Sequence, residues 1–285
     1  MKLALGTAQF GLNYGISNKS GKITTEKAVD LLSYAKRNGI DTLDTAIAYG
    51  DSEQALGSIG VDGWQVITKL PALAEGEANV ESWVERQLQG SLSRLGVSNV
   101  YGLLLHRPQQ LLEHSGPMLI RALERMKQQG LVKKIGVSIY QPEELDSLCE
   151  VMELDIVQAP LNVFDRRLID SGWLAKLKAK NIEVHVRSVF MQGLLLMPAA
   201  LRPEKFMRWQ KLWAEWDSWL ASNKLDPVAA CLDFALSEPC VDKLIVGVEN
   251  AAQLENIIKA SVIKSPRVPA SISSLDIDLL NPARW

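Results

Sequence analysis

This sequence is short of the features that would mark it for a membrane, a nucleic acid or an oxidising compartment. No apolar run approaches the roughly 20 residues that span a bilayer, and the opening "MKLALGTAQFG" is too short for a secretory core. No block of Lys or Arg stands out and the formal net charge is −2. A nucleic-acid or membrane partner is therefore not expected. Three cysteines, Cys149, Cys231 and Cys240, show no CxxC spacing. They read as buried thiols in a reducing compartment rather than a disulfide frame, and a cytoplasmic location is the expectation. The three histidines, His106, His114 and His185, are scattered without a carboxylate grouping, so no metal site is expected. No GxGxxG opens a helix after a strand, and no linker or low-complexity segment divides the chain.

What is present is regular alternation. The chain has 285 residues, 47% hydrophobic and 22% charged, enough to bury about three quarters of its unfolded surface. Short strand-like runs fall at 2–8, 40–46, 64–70, 100–106, 132–138, 155–160, 182–188 and 242–248. Amphipathic helical patterns follow them at 24–39, 51–60, 79–96, 117–130, 141–152, 168–181, 226–238 and 250–260. In 24–39 the apolar residues Ala28, Leu31, Leu32 and Ala35 share one face and Gly39 is the stop. Such alternation implies parallel strands joined by right-handed crossovers. Eight units in this length predict an α/β fold, a single (β/α)8 TIM barrel over 1–285. Residues 190–225 form an insertion after the seventh strand, and the proline-bearing tail 264–285 is expected to run over the surface.

The ends of the eight strands carry the chemistry. In order they are Thr7, Asp44, Lys69, His106, Ser138, Gln158, Arg187 and Gly247. Seven are polar, and each closes an otherwise apolar run. A buried polar group left unpaired costs about 1–3 kcal/mol, so groups converging on one barrel mouth must pair with one another or with a ligand. Tyr49 lies five residues beyond Asp44 in "DTLDTAIAYG", with the small Ala46 and Ala48 between them. A phenol with an ordinary pKa near 10 is a poor acid at neutral pH. The Lys69 ammonium is expected to lower it, Asp44 to hold Lys69, and His106 to donate to a carbonyl oxygen. Such a set suits hydride addition to a carbonyl, with Tyr49 as the proton donor.

These residues carry a resemblance. "LGTAQFG", "DTLDTAIAYGDSEQALG", "VITKL", "LLLHRP", "KKIGVSIY", "DIVQAPLNVFDRR" and "VGVENAAQLEN" fall in the order of the aldo-keto reductases, over nearly the whole chain. The sequence looks most like a short bacterial branch of that family that lacks an N-terminal hairpin. The resemblance implies an NADPH or NADH cofactor across the barrel mouth and Asp44, Tyr49, Lys69 and His106 as the catalytic residues. It also implies that Ser138 and Gln158 meet the carboxamide, although the family's Ser-Asn pair is Ser138-Ile139 here. Arg187 stands where an aromatic commonly stacks on the nicotinamide, and its planar guanidinium would stack instead. Ser188 and "QGLL", with Gly193 and Leu194, would wrap the pyrophosphate, while Gly6, Thr7, Asp44, Gly247 and Val248 line its path. Gln253 and Asn256 fit the adenine end. Glu249 stands where many members carry Arg or Lys for the 2′-phosphate, which weakens the case for NADPH.

The expected substrate is a small carbonyl compound, with a sugar-related one implied by the resemblance, and the expected state is a monomer or weak homodimer. Specificity is expected in loops after the strands: 10–19, 190–225 and the tail. Two rivals remain open from the residues: a nicotinamide-binding redox sensor without turnover, and a Schiff-base lyase or aldolase using Lys69. The stripe Phe206, Trp209, Trp213, Trp216 and Leu220 reads as core packing, with a lid or a dimer contact as the alternatives. Trp285 is placed either at the pocket or at a disordered end.

Overall fold

Short apolar strands, each too narrow to bury itself, close on one another into a ring. The computed structural model describes residues 1–16, 18 and 21–285. Residues 17 and 19 of the 10–19 loop lie outside the described residues. The first half of the chain runs β1 (Leu3–Gly6), α1 (Ala8–Gly11), α2 (Thr25–Arg37), β2 (Thr42–Asp44), α3 (Ser52–Ile59), β3 (Gln65–Leu70), α4 (Val80–Leu95), β4 (Val100–Leu105) and α5 (Gly116–Gln128). The second half runs β5 (Val132–Ser138), α6 (Glu144–Val151), β6 (Ile156–Pro160), α7 (Arg167–Asp170), α8 (Trp173–Ala179), β7 (Glu183–Arg187), α9 (Gln210–Asn223), α10 (Pro227–Leu236), β8 (Lys243–Gly247), α11 (Ala251–Ala260) and α12 (Ile277–Leu280). The strands form a closed barrel in sequence order, and β8 returns parallel to β1 with Leu3 opposite Leu244 and Gly6 opposite Gly247.

Local chemistry sets the helix ends. Thr24 accepts from the Lys27 amide at the start of α2, whose buried face is Ala28, Leu31, Leu32 and Ala35. Asn79 caps α4 by accepting from the Ser82 amide, and Gly96 ends it in the left-handed region at φ 68°. The helical pattern at 168–181 is in fact two helices, α7 and α8, because Gly172 sits between them at φ 77°. β2 is shorter than its apolar run, ending at Asp44, and the turn that carries Tyr49 begins two residues later.

The strands sort their side chains between two apolar layers. Most of the core lies between barrel and helices, while Ile67, Leu104 and Ile156 form a separate cluster. Two residues further along the same three strands stand Lys69, His106 and Gln158. With a side-chain period of two, the polar layer sits directly on this apolar plug. Gly102 makes room for the plug, since a Cβ there would lie 2.7 Å from Ile67 Cδ1. Of the three thiols, Cys231 is buried as expected, while Cys149 and Cys240 are only partly so.

The segment after β7 folds through 3-10 turns at Met191–Leu196, Ala199–Leu201 and Glu204–Trp209 before entering α9. Phe206, Trp213 and Trp216 are buried. Their indoles are satisfied, Trp213 Nε1 donating to Phe206 O at 3.1 Å and Trp216 Nε1 to Leu195 O at 3.1 Å. Trp209 and Leu220 are only partly buried. The tail does not simply wander over the surface. Val268, Ile272, Leu279 and Leu280 are buried, and Ser274 N donates to Phe164 O at 2.8 Å. Trp285 packs edge-on against Phe206 with ring centroids 5.0 Å apart, so it is not a loose end. No helix among the described residues is long and apolar enough to cross a membrane.

Trp216→Ala should lower unfolding stability by about 3–5 kcal/mol, read as a lower urea midpoint. Leu201→Ser, at a side chain 66% exposed, should change it by less than about 0.5 kcal/mol.

Candidate active site

The barrel ladder continues one step past several strands and brings the polar ends together. Thr7 N donates to Asp44 O at 2.9 Å, Thr45 N to Ile67 O at 2.8 Å, and His106 N to Leu70 O at 3.1 Å. Ile47 N reaches Lys69 O at 3.2 Å, and Tyr49 N closes a turn on Ala46 O at 3.0 Å. This turn lies hard against α1. A Cβ at Gly11 would fall 1.8 Å from Tyr49 O, and Gly50 stands at φ +54° with its Cβ position 2.6 Å from Gly11 O. Two glycines therefore let the Tyr49 turn seat itself. Ser52 ties it down by donating to Thr7 O at 2.8 Å. Buried Glu53 secures the next layer, accepting from Thr68 Oγ1 at 2.6 Å, Ser91 Oγ at 2.8 Å and Arg94 Nε at 2.8 Å.

At the centre is an ion pair out of water. Lys69 is fully buried and Asp44 4% exposed. Lys69 Nζ donates to Asp44 Oδ1 at 2.7 Å and to Thr45 O at 2.9 Å. Gln158 Nε2 donates to the other carboxylate oxygen, Asp44 Oδ2, at 2.6 Å. Lys69 Nζ also lies 5.2 Å from the centre of the Tyr49 ring, which meets His106 edge-on at 6.0 Å between centroids. Burial holds Lys69 below its ordinary value, and Asp44 opposes that shift without cancelling it. His106 is pushed down to about 4, first by burial and then by the Lys69 and Arg187 charges, so its imidazole is neutral at neutral pH.

The phenol corrects the sequence expectation. Tyr49 is raised well above its ordinary value, not lowered, by burial and then by the Asp44 carboxylate. Lys69 is not among the groups that act on the phenol, although its ammonium lies 5.2 Å from the ring centre. The group that pulls the phenol back down is Arg187. Its guanidinium stacks 4.5 Å from the centre of the Tyr140 ring and donates to Ile139 O at 3.0 Å and Ser188 Oγ at 3.3 Å.

Beside these groups a cavity of about 360 Å³ runs from Asp44, Tyr49 and Arg187 to Glu249, Gln253 and Asn256. Gly6, Thr7, Ser188, Gly193, Gly247 and Val248 line it between the two ends. Its wall contains a strained stretch, with Ser188 at φ 64°, Met191 at φ 46°, Gln192 at φ 55° and Gly193 at φ 91°. At the far end Asn250 caps α11 by accepting from Gln253 N at 2.9 Å, and Glu249 N donates to Gln253 Oε1 at 2.8 Å. The long cleft, its glycine floor and a helix N-terminus at one end fit an extended dinucleotide.

Three expected positions differ. Leu194 is fully buried in the core and does not line the cavity, because the strained turn at 191–193 sends it inward. Ser138 and Gln158 also stand off the cavity, with Ser138 Oγ 3.5 Å from Gln158 Oε1 and the Gln158 amide turned to Asp44. His185 is buried and bonded to Glu183 at 2.6 Å, and His114 is exposed, so neither joins the site. No metal-binding group of His, Cys, Asp or Glu occurs among the described residues. Sequence reasoning missed Tyr14, which lines the cavity with its hydroxyl 3.4 Å from Gln192 Nε2. It also missed Tyr140, although Tyr140 repeats the Ser138 position at the period of a strand.

The sequence model of the Aldo/keto reductase family matches residues 2–276. "Uncharacterized oxidoreductase YqkF" of Bacillus subtilis is 25% identical over 281 residues, covering 91% of this chain and 90% of that protein. A 6-dehydroglucose reductase of Agrobacterium fabrum is 29% identical over 166 residues, covering 50% of this chain and 54% of its own length. The solved glycerol dehydrogenase AKR11B4 of Gluconobacter oxydans superposes with a TM-score of 0.71 at 24% identity, over 93% of this chain and 88% of that one.

The depressed His106 value has a consequence for stability. Between pH 6.5 and about 4 the unfolded chain binds a proton that the folded chain refuses. His106 therefore makes the fold lose stability as pH falls through that window. Urea midpoints between pH 7 and 4 should fall less steeply for His106→Gln than for the native chain.

Proposed function

The chain belongs to the aldo/keto reductase family, and on that premise we propose that Tyr49 is the acid of a carbonyl reduction on a small polyhydroxylated substrate. Membership makes the protein an NAD(P)-dependent oxidoreductase, in which a bound nicotinamide supplies the hydride. The single observation that carries the assignment is the buried Asp44–Lys69 pair set against Tyr49 and His106 at the head of the cavity.

Each side chain has a separable task. His106, held neutral, donates to the substrate carbonyl oxygen and fixes its position. Tyr49, protonated at neutral pH, gives its proton to that oxygen as negative charge develops there. The phenolate left behind faces the Lys69 ammonium and the Arg187 guanidinium, and Asp44 keeps Lys69 charged and aimed. Gln158 holds the second oxygen of Asp44, and Ser138 stands beside it. Gly6, Thr7, Ser188, Gly193, Gly247 and Val248 would bed the pyrophosphate, and Gln253 and Asn256 the adenosine. A Schiff base on Lys69 is disfavoured, since its amine is fully buried and committed to two hydrogen bonds.

The cofactor preference follows from Glu249. Glu249 is among the residues lining the cavity beside the start of α11, and a carboxylate there would repel a 2′-phosphate and accept from a 2′-hydroxyl. We assign the preference to NADH. Two relatives act, by their names, on glycerol and on 6-dehydroglucose, which agrees with the sugar-related reading. The whole described chain is taken as one working barrel, active as a monomer or weak homodimer in the cytoplasm.

Tyr49→Phe should cut kcat by about 10²–10⁴-fold while leaving NADH binding, read by fluorescence, unchanged. Undiminished turnover would remove Tyr49 from the mechanism. NADH should bind more tightly than NADPH in the same titration, and Glu249→Arg should reverse the order.

A further inference from the structure

The head of the cavity carries one positive charge that no group among the described residues matches. The charged groups acting on Tyr49, Lys69 and His106 are Asp44, Lys69 and Arg187. Asp44 and Lys69 cancel at 2.7 Å. Arg187 is half-buried, and no carboxylate among the described residues lies within ion-pair distance of it. Its contacts are an aromatic face, a carbonyl and a hydroxyl: Tyr140, Ile139 O and Ser188 Oγ. The aromatic ring beneath it and the anchoring carbonyl fix where that charge stands.

On the reading proposed above, the reactive ring of the cofactor must lie at this same end, within reach of Tyr49. That ring is neutral when reduced and cationic when oxidised. From this placement we infer that Arg187 sets the redox preference of the nicotinamide site, favouring the reduced cofactor by repelling the oxidised ring. Two like charges a few ångströms apart in a partly desolvated cleft repel strongly enough to shift affinity by a factor of ten or more. An aromatic side chain at this position would stack on either ring form without that penalty. The fixed guanidinium thus biases the site toward loading reduced cofactor and releasing oxidised cofactor.

The inference rests on the reductase reading, and equilibrium binding separates the two without turnover. NADH, NAD⁺ and ADP-ribose are each titrated against the native protein, Arg187→Met and Arg187→Lys by tryptophan fluorescence. The native protein should bind NADH at least about tenfold more tightly than NAD⁺. Arg187→Met should collapse that ratio, mainly by tightening NAD⁺, while Arg187→Lys should keep most of it. ADP-ribose, which lacks the ring, should bind all three alike. An unchanged NADH to NAD⁺ ratio in Arg187→Met overturns the inference and leaves the reductase reading standing. Equal weakening of all three ligands also overturns it, because Arg187 would then be a contact to the common part of the molecule. Failure of the native protein to bind any of them overturns the NADH assignment, and this inference with it.

Discussion

The site is organised by one buried ion pair. An ammonium with no access to water stays charged only if something offsets its desolvation, and Asp44 does so for Lys69 at 2.7 Å. Removing one partner of such a pair typically costs about 3–5 kcal/mol, since the other charge is left unmatched. The pair also joins β2 to β3, the strands on which the Tyr49 turn is hung. Gln158, from the opposite side of the barrel, donates to the same carboxylate. Structure and chemistry therefore share one carboxylate: its first oxygen holds the lysine and its second holds β6.

That pair imposes an unexpected division of labour. Asp44, not Lys69, is the member of the pair that acts on the Tyr49 phenol, and it raises it. Burial and the Asp44 carboxylate raise the phenol further above neutral pH, where it is protonated in any case. The guanidinium that acts on it comes from β7, across the barrel, and is held by Tyr140 rather than by an acid. The apolar plug of Ile67, Leu104 and Ile156 lies directly under this layer and keeps water out from below.

Much of this is legible in the sequence, for a definable reason. Strand residues two apart face the same way, so Ile67 and Lys69, Leu104 and His106, and Ile156 and Gln158 announce an apolar floor and a polar rim. The barrel follows from the same alternation. The contacts among the rim residues are not legible, because side chains from β2, β6 and β7 meet only once the ring closes. Hence Gln158 turning to Asp44, and Arg187 lying over Tyr140, have no local signal. Leu194 escapes a sequence reading because a residue inside a strained turn can face inward or outward, and only the φ values at 191–193 decide it. The prolines of the tail suggest a surface path, yet they do not prevent Val268, Ile272 and Leu279 from docking into the core.

Asp44 is the group that opposes the desolvation of Lys69, and the roles proposed for the barrel mouth require that amine to be charged. The most direct measurement is the protonation state of the Lys69 amine by ¹⁵N-detected NMR of lysine-labelled protein, native and Asp44→Asn, followed as a function of pH. The native protein should keep a protonated, slowly exchanging Lys69 ammonium through neutral pH. In Asp44→Asn the amine should lose its proton at a distinctly lower pH, since burial remains and the balancing charge is gone. An ammonium equally persistent in both proteins would contradict this dependence.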